Sequence, residues 1–289
     1  MNKAKCAFLS AMAIFGTVGI FVRYIPLPSA TIACLRGVLG LVFLLAVMLL
    51  TGKKPDGISI RKNLPILLLS GAAIGGNWIL LFEAYRYTTV ATATICYYMA
   101  PVFLVLASPL LGERLTAKKL LLSATALLGM VFVSGVLKGG LSGGRGIACG
   151  VGAACLYASV MFMNKKLGPI SAYDKTVIQL AAAAIVILPY CLASRGFDMS
   201  QMDCKGYLLL AVVGIIHTGV SYWLYFGAMG RLSSQTVALF SYLDPVLAII
   251  LSALLLREPL DWQGILGAAL ILGSALCSEI PVQKFAKKG

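Results

Sequence analysis

Ser241-Tyr242-Leu243-Asp244-Pro245 sits inside an apolar run that continues from Val237 to Leu256. The run is long enough to cross a bilayer. Asp244 stands near its midpoint, where an acidic side chain costs ~2.5–3.5 kcal/mol on insertion scales. Pro245 adds a second irregularity, because it cannot donate to the carbonyl oxygen of Ser241 four residues back. Backbone freed at membrane depth is tolerated only beside protein or water. An acid and a helix break at one level predict a polar cavity inside a membrane protein.

The same stretch occurs twice. Tyr98, Pro101, Val102, Ser108, Leu110 and Leu111 return as Tyr242, Pro245, Val246, Ser252, Leu254 and Leu255 at a constant shift of 144. Leu80, Phe82 and Ala84 return as Leu224, Phe226 and Ala228 at that shift, and one residue further on Gly112-Glu113-Arg114-Leu115 faces Arg257-Glu258-Pro259-Leu260. The chain reads as an internal repeat, with units 1–141 and 142–289 and with Pro101 and Pro245 as matched hinges.

Composition extends this reading to the whole chain. Of 289 residues 60% are hydrophobic and 12% charged, with mean hydropathy +0.94, which belongs to a polytopic membrane protein rather than a soluble one. The net charge of +14 does not indicate nucleic acid, because the basic residues fall in short clusters between apolar runs. The eight cysteines are scattered without a CxxC pair and read as small core residues. No metal site or cofactor is expected. The apolar stretch after Lys3 and Lys5 is read as an uncleaved first span, since no small-residue cleavage site closes it.

Ten apolar segments of about 20 residues succeed one another, at roughly 4–22, 29–51, 64–86, 89–111, 117–137, 146–164, 172–194, 206–228, 233–256 and 262–280. Alternate loops carry 16 and 7 Lys and Arg residues, with Arg36 inside a span, so both termini are expected on the cytoplasmic side. Five spans per repeat is an odd number. The fold class is therefore an all-α polytopic membrane protein, ten transmembrane helices arranged as two inverted five-helix repeats. Gly71 with Gly75, and Gly146 with Gly150, show the small-xxx-small spacing of close helix contacts.

Several of these stretches together carry a family resemblance. Asn77-Trp78, Phe82-Glu83-Ala84-Tyr85-Arg86, Tyr97-Tyr98-Met99-Ala100-Pro101-Val102, Leu111-Gly112-Glu113-Arg114-Leu115-Thr116, Tyr242-Leu243-Asp244-Pro245-Val246 and Arg257-Glu258-Pro259-Leu260 resemble permeases of the drug/metabolite transporter superfamily built from two EamA-type repeats. The resemblance covers nearly the whole chain. It implies a ten-helix carrier, many of whose relatives export amino acids or other small metabolites while some import them. It also implies a central cavity lined mainly by the first, third, fourth, sixth, eighth and ninth helices. Arg257 departs from the pattern, standing where the first half has Gly112.

Candidate residues are chosen by depth and chemistry. Asp244 is the first choice for substrate binding and proton exchange. Its place in the first half is taken by Ala100, so the scaffold does not demand an acid there. The alternative is a carboxylate that caps backbone freed by Pro245. His217, the one histidine, shares a helical face with Ser221 and Tyr225 and lies at a depth from which it could reach Asp244 as a relay partner or substrate clamp. It could equally be a hydrogen-bonded core histidine. Glu83 and Arg36 lie at similar depths, suited to an ion pair or to separate contacts with a zwitterion, while Arg86 offers Glu83 a local partner. Trp78, Tyr98 and Tyr242 lead a set of aromatic residues suited to stack on a ring or hold a cation. Glu113 and Glu258 are read as turn and gate residues.

These features predict a secondary active transporter of a small polar organic metabolite, an amino acid or related compound. Export is favoured, and alternating access and proton coupling are expected. The alternatives are uptake of an organic cation and, in a different class, a lipid-head-group flippase. Arg36 discriminates the first: if it faces the cavity, a bare cation is disfavoured. No GxxxxGK[ST] loop or HExxH pair is present, so the chain is not expected to be an enzyme. Expected partners are the substrate, the lipid bilayer of the inner or plasma membrane, and protons as coupling ion, with no nucleic acid. Because the inverted partner is internal, a monomer suffices and a dimer is compatible with it.

Overall fold

The computed structural model describes residues 3–22, 24–88, 93, 96–133, 137, 143–193, 197–256 and 262–278, and every element among them is helical. The helices are α1 (Lys3–Val22), α2 (Ser29–Leu50), α3 (Gly57–Tyr87), α4 (Ala100–Ala107, continued by a 3₁₀ turn Ser108–Leu111) and α5 (Ala117–Val133). They continue as α6 (Gly144–Lys166), α7 (Ala172–Ala193), α8 (Cys204–Met229, with a π turn over Ile215–Val220), α9 (Ser234–Ser241), α10 (Leu243–Leu256) and α11 (Trp262–Ser278). Six of these, α1, α2, α3, α6, α7 and α8, are long and apolar enough to cross a membrane, and shorter apolar helices accompany them.

The third helix begins earlier than the hydropathy pattern suggests. Asp56 caps it, its carboxylate accepting from the Ile58 N–H at 3.1 Å and the Ser59 N–H at 3.2 Å, so Arg61 and Lys62 belong to its first turns. Its other face meets α7 across glycines. A Cβ on Gly71 would lie 2.6 Å from Ala182 Cβ, and one on Gly75 would lie 2.8 Å from the Ala183 carbonyl oxygen. The two backbones approach this closely only because both positions lack a side chain.

The expected ninth span is two helices. α9 ends at Ser241 and α10 restarts at Leu243, with Tyr242 between them and Pro245 in the new helix's first turn. The first half does the same thing: Tyr98 and Met99 form a turn, and α4 starts at Ala100 with Pro101 in its first positions. The two breaks coincide at the repeat shift, and their tyrosines interlock. Tyr242 Oη donates to the Tyr98 carbonyl oxygen at 2.9 Å, and the two rings lie 6.1 Å apart.

α1 and α8 run antiparallel. Near one end Val18 and Val22 pack with Leu210 and Val213, and near the other Phe8 lies 5.1 Å from the Tyr225 ring. The bundle's end that bears Lys3 is also the end where α8 finishes and α9 begins.

Candidate functional site

A cavity of about 440 Å³ lies among α1, α2, α3, α6, α8, Tyr97 and the first turn of α10. The helix directions fix its position along the bundle. α1 contributes Phe15, Val18 and Val22 from its second half, whereas α2 contributes Ile32, Ala33 and Arg36 from its first. The cavity thus extends from the middle of the bundle, where Tyr157, Tyr225 and Asp244 lie, toward the end remote from Lys3. Its floor is a layer of tyrosines, in which Tyr157 and Tyr225 hydroxyls lie 2.9 Å apart and the Tyr97 ring stacks on Tyr157 at 5.4 Å. The second helix joins the lining, which the sequence resemblance did not imply.

Asp244 reaches this space because α10 starts at the break: a residue in the first helical turn presents its side chain beside the discontinuity. Tyr98 Oη donates to its Oδ2 at 3.1 Å. The chain Tyr242 to Tyr98 to Asp244 thus links both breaks to one acid. Tyr98 and Tyr242 stand behind Asp244 rather than on the cavity surface, while Trp78 lines it directly.

Arg36 also lines the cavity. Its guanidinium carbon stands 4.7 Å from the centroid of the Trp78 ring, and its buried Nε has no hydrogen-bond partner among the described residues. Glu83 is elsewhere. Its carboxylate accepts from Tyr190 Oη and from Arg86 Nη1 at 2.9 Å, and it does not line the cavity. Among the described residues, Arg36 and Glu83 are therefore not joined, and Glu83 keeps the local partner that its spacing offered.

His217 is turned away from Asp244. Its Nε2 lies 2.7 Å from Thr17 Oγ1, and the Thr17 hydroxyl itself donates to the Ile14 carbonyl at 2.7 Å. Nδ1 lies 3.4 Å from the Val212 carbonyl oxygen of its own helix, so both ring nitrogens face protein partners, and the ring packs 4.8 Å from Phe21. The reason is the π turn. Thr218 and Ser221 hydroxyls both bond carbonyls five residues back, at 2.9 and 3.0 Å. One extra residue in a turn rotates the helix before it by about 100° relative to the helix after it, which separates His217 from the face of Tyr225. Trp223 likewise faces Tyr173, at 5.1 Å, instead of the cavity.

At the Lys3 end the two halves of the chain are joined by Glu113. Gly112 takes a left-handed conformation with φ 76°, and its N–H and that of Glu113 close the 3₁₀ turn. The Glu113 carboxylate then accepts from the Ser234 N–H at 2.9 and 3.1 Å and from Ser234 Oγ at 2.7 Å, at the N-terminus of α9. Lys119 Nζ at 3.3 Å and Lys165 Nζ at 3.5 Å complete the clamp. Burial pushes the carboxyl group up, but the Ser234 hydroxyl and N–H, with Lys165 and Lys119, outweigh it and hold Glu113 below the usual glutamate range. The backbone it caps belongs to the other half of the chain, not to the next helix along. Ser234 and Lys165 carried no sequence signal for this role. Glu258 lies outside the described residues.

The family described as "EamA-like transporter family" matches residues 2–135 and again residues 144–279. "Uncharacterized transporter YxxF" of Bacillus subtilis (strain 168) is 28% identical over 284 residues, covering 95% of this chain and 89% of that protein. A "Probable amino-acid metabolite efflux pump" of Salmonella typhimurium is 28% identical over 229 residues, 73% of this chain and 76% of that protein. A solved crystal structure shares the fold, with a TM-score of 0.83 at 20% identity over 96% of this chain and 98% of its own.

Proposed function

The chain belongs to the EamA-like transporter family of the drug/metabolite transporter superfamily and is an integral membrane transporter of small metabolites rather than an enzyme, and on that premise we propose that it is a proton-coupled secondary carrier working by alternating access. Its substrate is a small polar organic metabolite, an amino acid or a related compound. Export is the favoured direction, and the plasma membrane is the site of action. The chain folds as ten spans in two inverted repeats, divided at 141/142, with both termini cytoplasmic. A monomer suffices for this mechanism.

One observation carries the reading: a cavity bounded by residues from both family matches holds the carboxyl group of Asp244 at a helix break that is duplicated in the other half. Discontinuous helices meeting at a central site are the device by which inverted repeats expose one binding place to either side in turn. Asp244 is the proton-exchanging group. Pro101 and Pro245 mark the hinges, and Glu113 closes the cytoplasmic gate while the cavity faces outward. The similarity to the "Probable amino-acid metabolite efflux pump" of Salmonella typhimurium supports amino-acid-like cargo and export.

The test is counterflow of radiolabelled amino acids in proteoliposomes that enclose a pH-sensitive dye. Exchange of at least one compound, accompanied by a lumenal pH change that disappears in Asp244→Asn, is the expected result. Exchange without proton movement would remove the coupling, and absence of exchange across the panel would remove the substrate assignment.

A further inference from the structure

Among the described residues, no acid answers the one cation that lines the cavity. Arg36 presents a buried Nε with no hydrogen-bond partner, its guanidinium held against the Trp78 ring at 4.7 Å. Among the described residues, the acids that could have neutralised it are engaged elsewhere: Glu83 with Tyr190 and Arg86, Asp244 with Tyr98. A guanidinium with a buried, unsatisfied Nε and no acid beside it among the described residues is costly in a largely apolar, aromatic chamber unless something supplies an acceptor. Trp78 fixes the plane of the fork without using its N–H groups.

We propose that Arg36 is the residue that selects the substrate, by binding a carboxylate carried on an apolar body. This rests on the reading of the cavity as the transport site. A planar guanidinium matches a carboxylate in geometry and charge. The partner is a monoanion, because the chamber offers one cationic side chain and also holds an acid, Asp244, which opposes a second negative charge. The remaining surface determines the body. Phe15, Val18, Ile74, Trp78 and Tyr222 give an aliphatic and aromatic wall around about 440 Å³, a volume in the range of small-molecule sites. A bare amine has only Asp244, already bonded to Tyr98, to set against the Arg36 charge in the same chamber, so organic cations are disfavoured.

The experiment uses the purified full chain and two matched sets of probes: phenylpropionate, phenylalanine and phenylethylamine, then isocaproate, leucine and isoamylamine. Ligand-dependent thermal stabilisation and calorimetric affinity are the readouts. At least one carboxylate-bearing compound should stabilise the protein and neither amine should. Arg36→Met should weaken that binding about 10- to 100-fold, with Arg36→Lys intermediate. Arg36→Met should also leave the unliganded midpoint unchanged or higher, because it removes an unpaired buried charge. A helix tether would instead lose stability.

Equal binding by phenylpropionate and phenylalanine means that the carboxylate alone is recognised, and tighter binding by phenylalanine adds Asp244 as the ammonium partner. Both support the assignment. Amine binding, carboxylate binding untouched by Arg36→Met, a lowered unliganded midpoint in Arg36→Met, or silence from all six compounds overturns it. Ile74→Trp, with Val160→Phe as a second choice if that variant misfolds, fills the cavity and separates the two levels. An amine whose binding it abolishes leaves the cavity as the site and removes only the carboxylate rule. A carboxylate whose binding survives it removes the cavity reading itself.

Discussion

Replacing Glu113 separates a gate from a mere brace. In the structure its carboxylate caps α9 through the Ser234 N–H and hydroxyl and draws in Lys119 and Lys165. Loss of a helix cap costs ~1 kcal/mol. The two lysine pairs are only partly shielded, with side-chain exposures of 14% and 9% for the lysines against 22% for Glu113, so each is worth at most about 1 kcal/mol after screening. Glu113→Ala should therefore cost about 1–3 kcal/mol in the clamped state. Glu113→Gln keeps an acceptor for Ser234 and loses the charge, which should cost about 1–2 kcal/mol.

If the clamp opens when the cavity turns to the cytoplasm, that loss enters the closed-to-open equilibrium and shifts it about 5- to 30-fold toward open in Glu113→Gln. The assay is modification of Tyr222→Cys, in a background without other reactive cysteines, by an impermeant thiol reagent applied from the clamp side. Labelling should accelerate by that factor. The pH dependence has a definite sign. Glu113 is held below its unfolded value, so its contribution is fully present above about pH 5 and is lost as pH falls through the folded-state value. The difference between the native chain and Glu113→Gln should vanish on acidification. A lower melting temperature with unchanged labelling would refute the gate and leave Glu113 as a brace between the halves.

Two further outcomes test the packing around the breaks. Tyr242→Phe removes the 2.9 Å bond to the Tyr98 carbonyl and leaves that oxygen without the donor it has now, which should cost about 1–3 kcal/mol by thermal unfolding in detergent. Gly112→Ala and Gly71→Ala should differ in cause as well as size. The first meets nothing within 4 Å and pays only for a left-handed backbone, about 1 kcal/mol, whereas the second drives a Cβ to 2.6 Å from Ala182 and Gln179 and should cost about 2–3 kcal/mol. Equal destabilisation by the two would contradict this account.

Much of the scaffold was legible because it rests on periodic or repeated signals. Apolar runs set most helices, and the duplicated Tyr-to-Pro spacing located both breaks to within a residue or two. Residues whose chemistry is conspicuous for their depth, Asp244 and Arg36, were legible as candidates, and both line the cavity. Direction was a different matter. Nothing in Gly214-Ile215-Ile216-His217-Thr218-Gly219 announces a π turn, and the depth that put His217 level with Asp244 carried no information on which way its ring points. Glu113 was recognisable as a turn residue, but its partner lies 121 positions away in the other half. Contacts between halves depend on how the halves dock, which neither period nor propensity encodes.

The repeat duplicates the breaks without duplicating the chemistry, and this asymmetry bears on the mechanism. Tyr98 and Tyr242 occupy equivalent places, yet one hydroxyl serves the Asp244 carboxylate and the other serves a backbone carbonyl. Ala100, 0% exposed, fills the place that would hold the second acid and packs with Ala154 and Ala158. Two acids facing each other across the centre of a membrane would each raise the cost of ionising the other. On the proposed alternating-access mechanism, a single acid reached from both breaks through Tyr98 would give the two halves one shared group to expose in turn, while Arg36 from α2 supplies the opposite charge from a different wall of the same chamber. The scaffold can therefore be symmetric enough to rock, and its contents need not be symmetric at all.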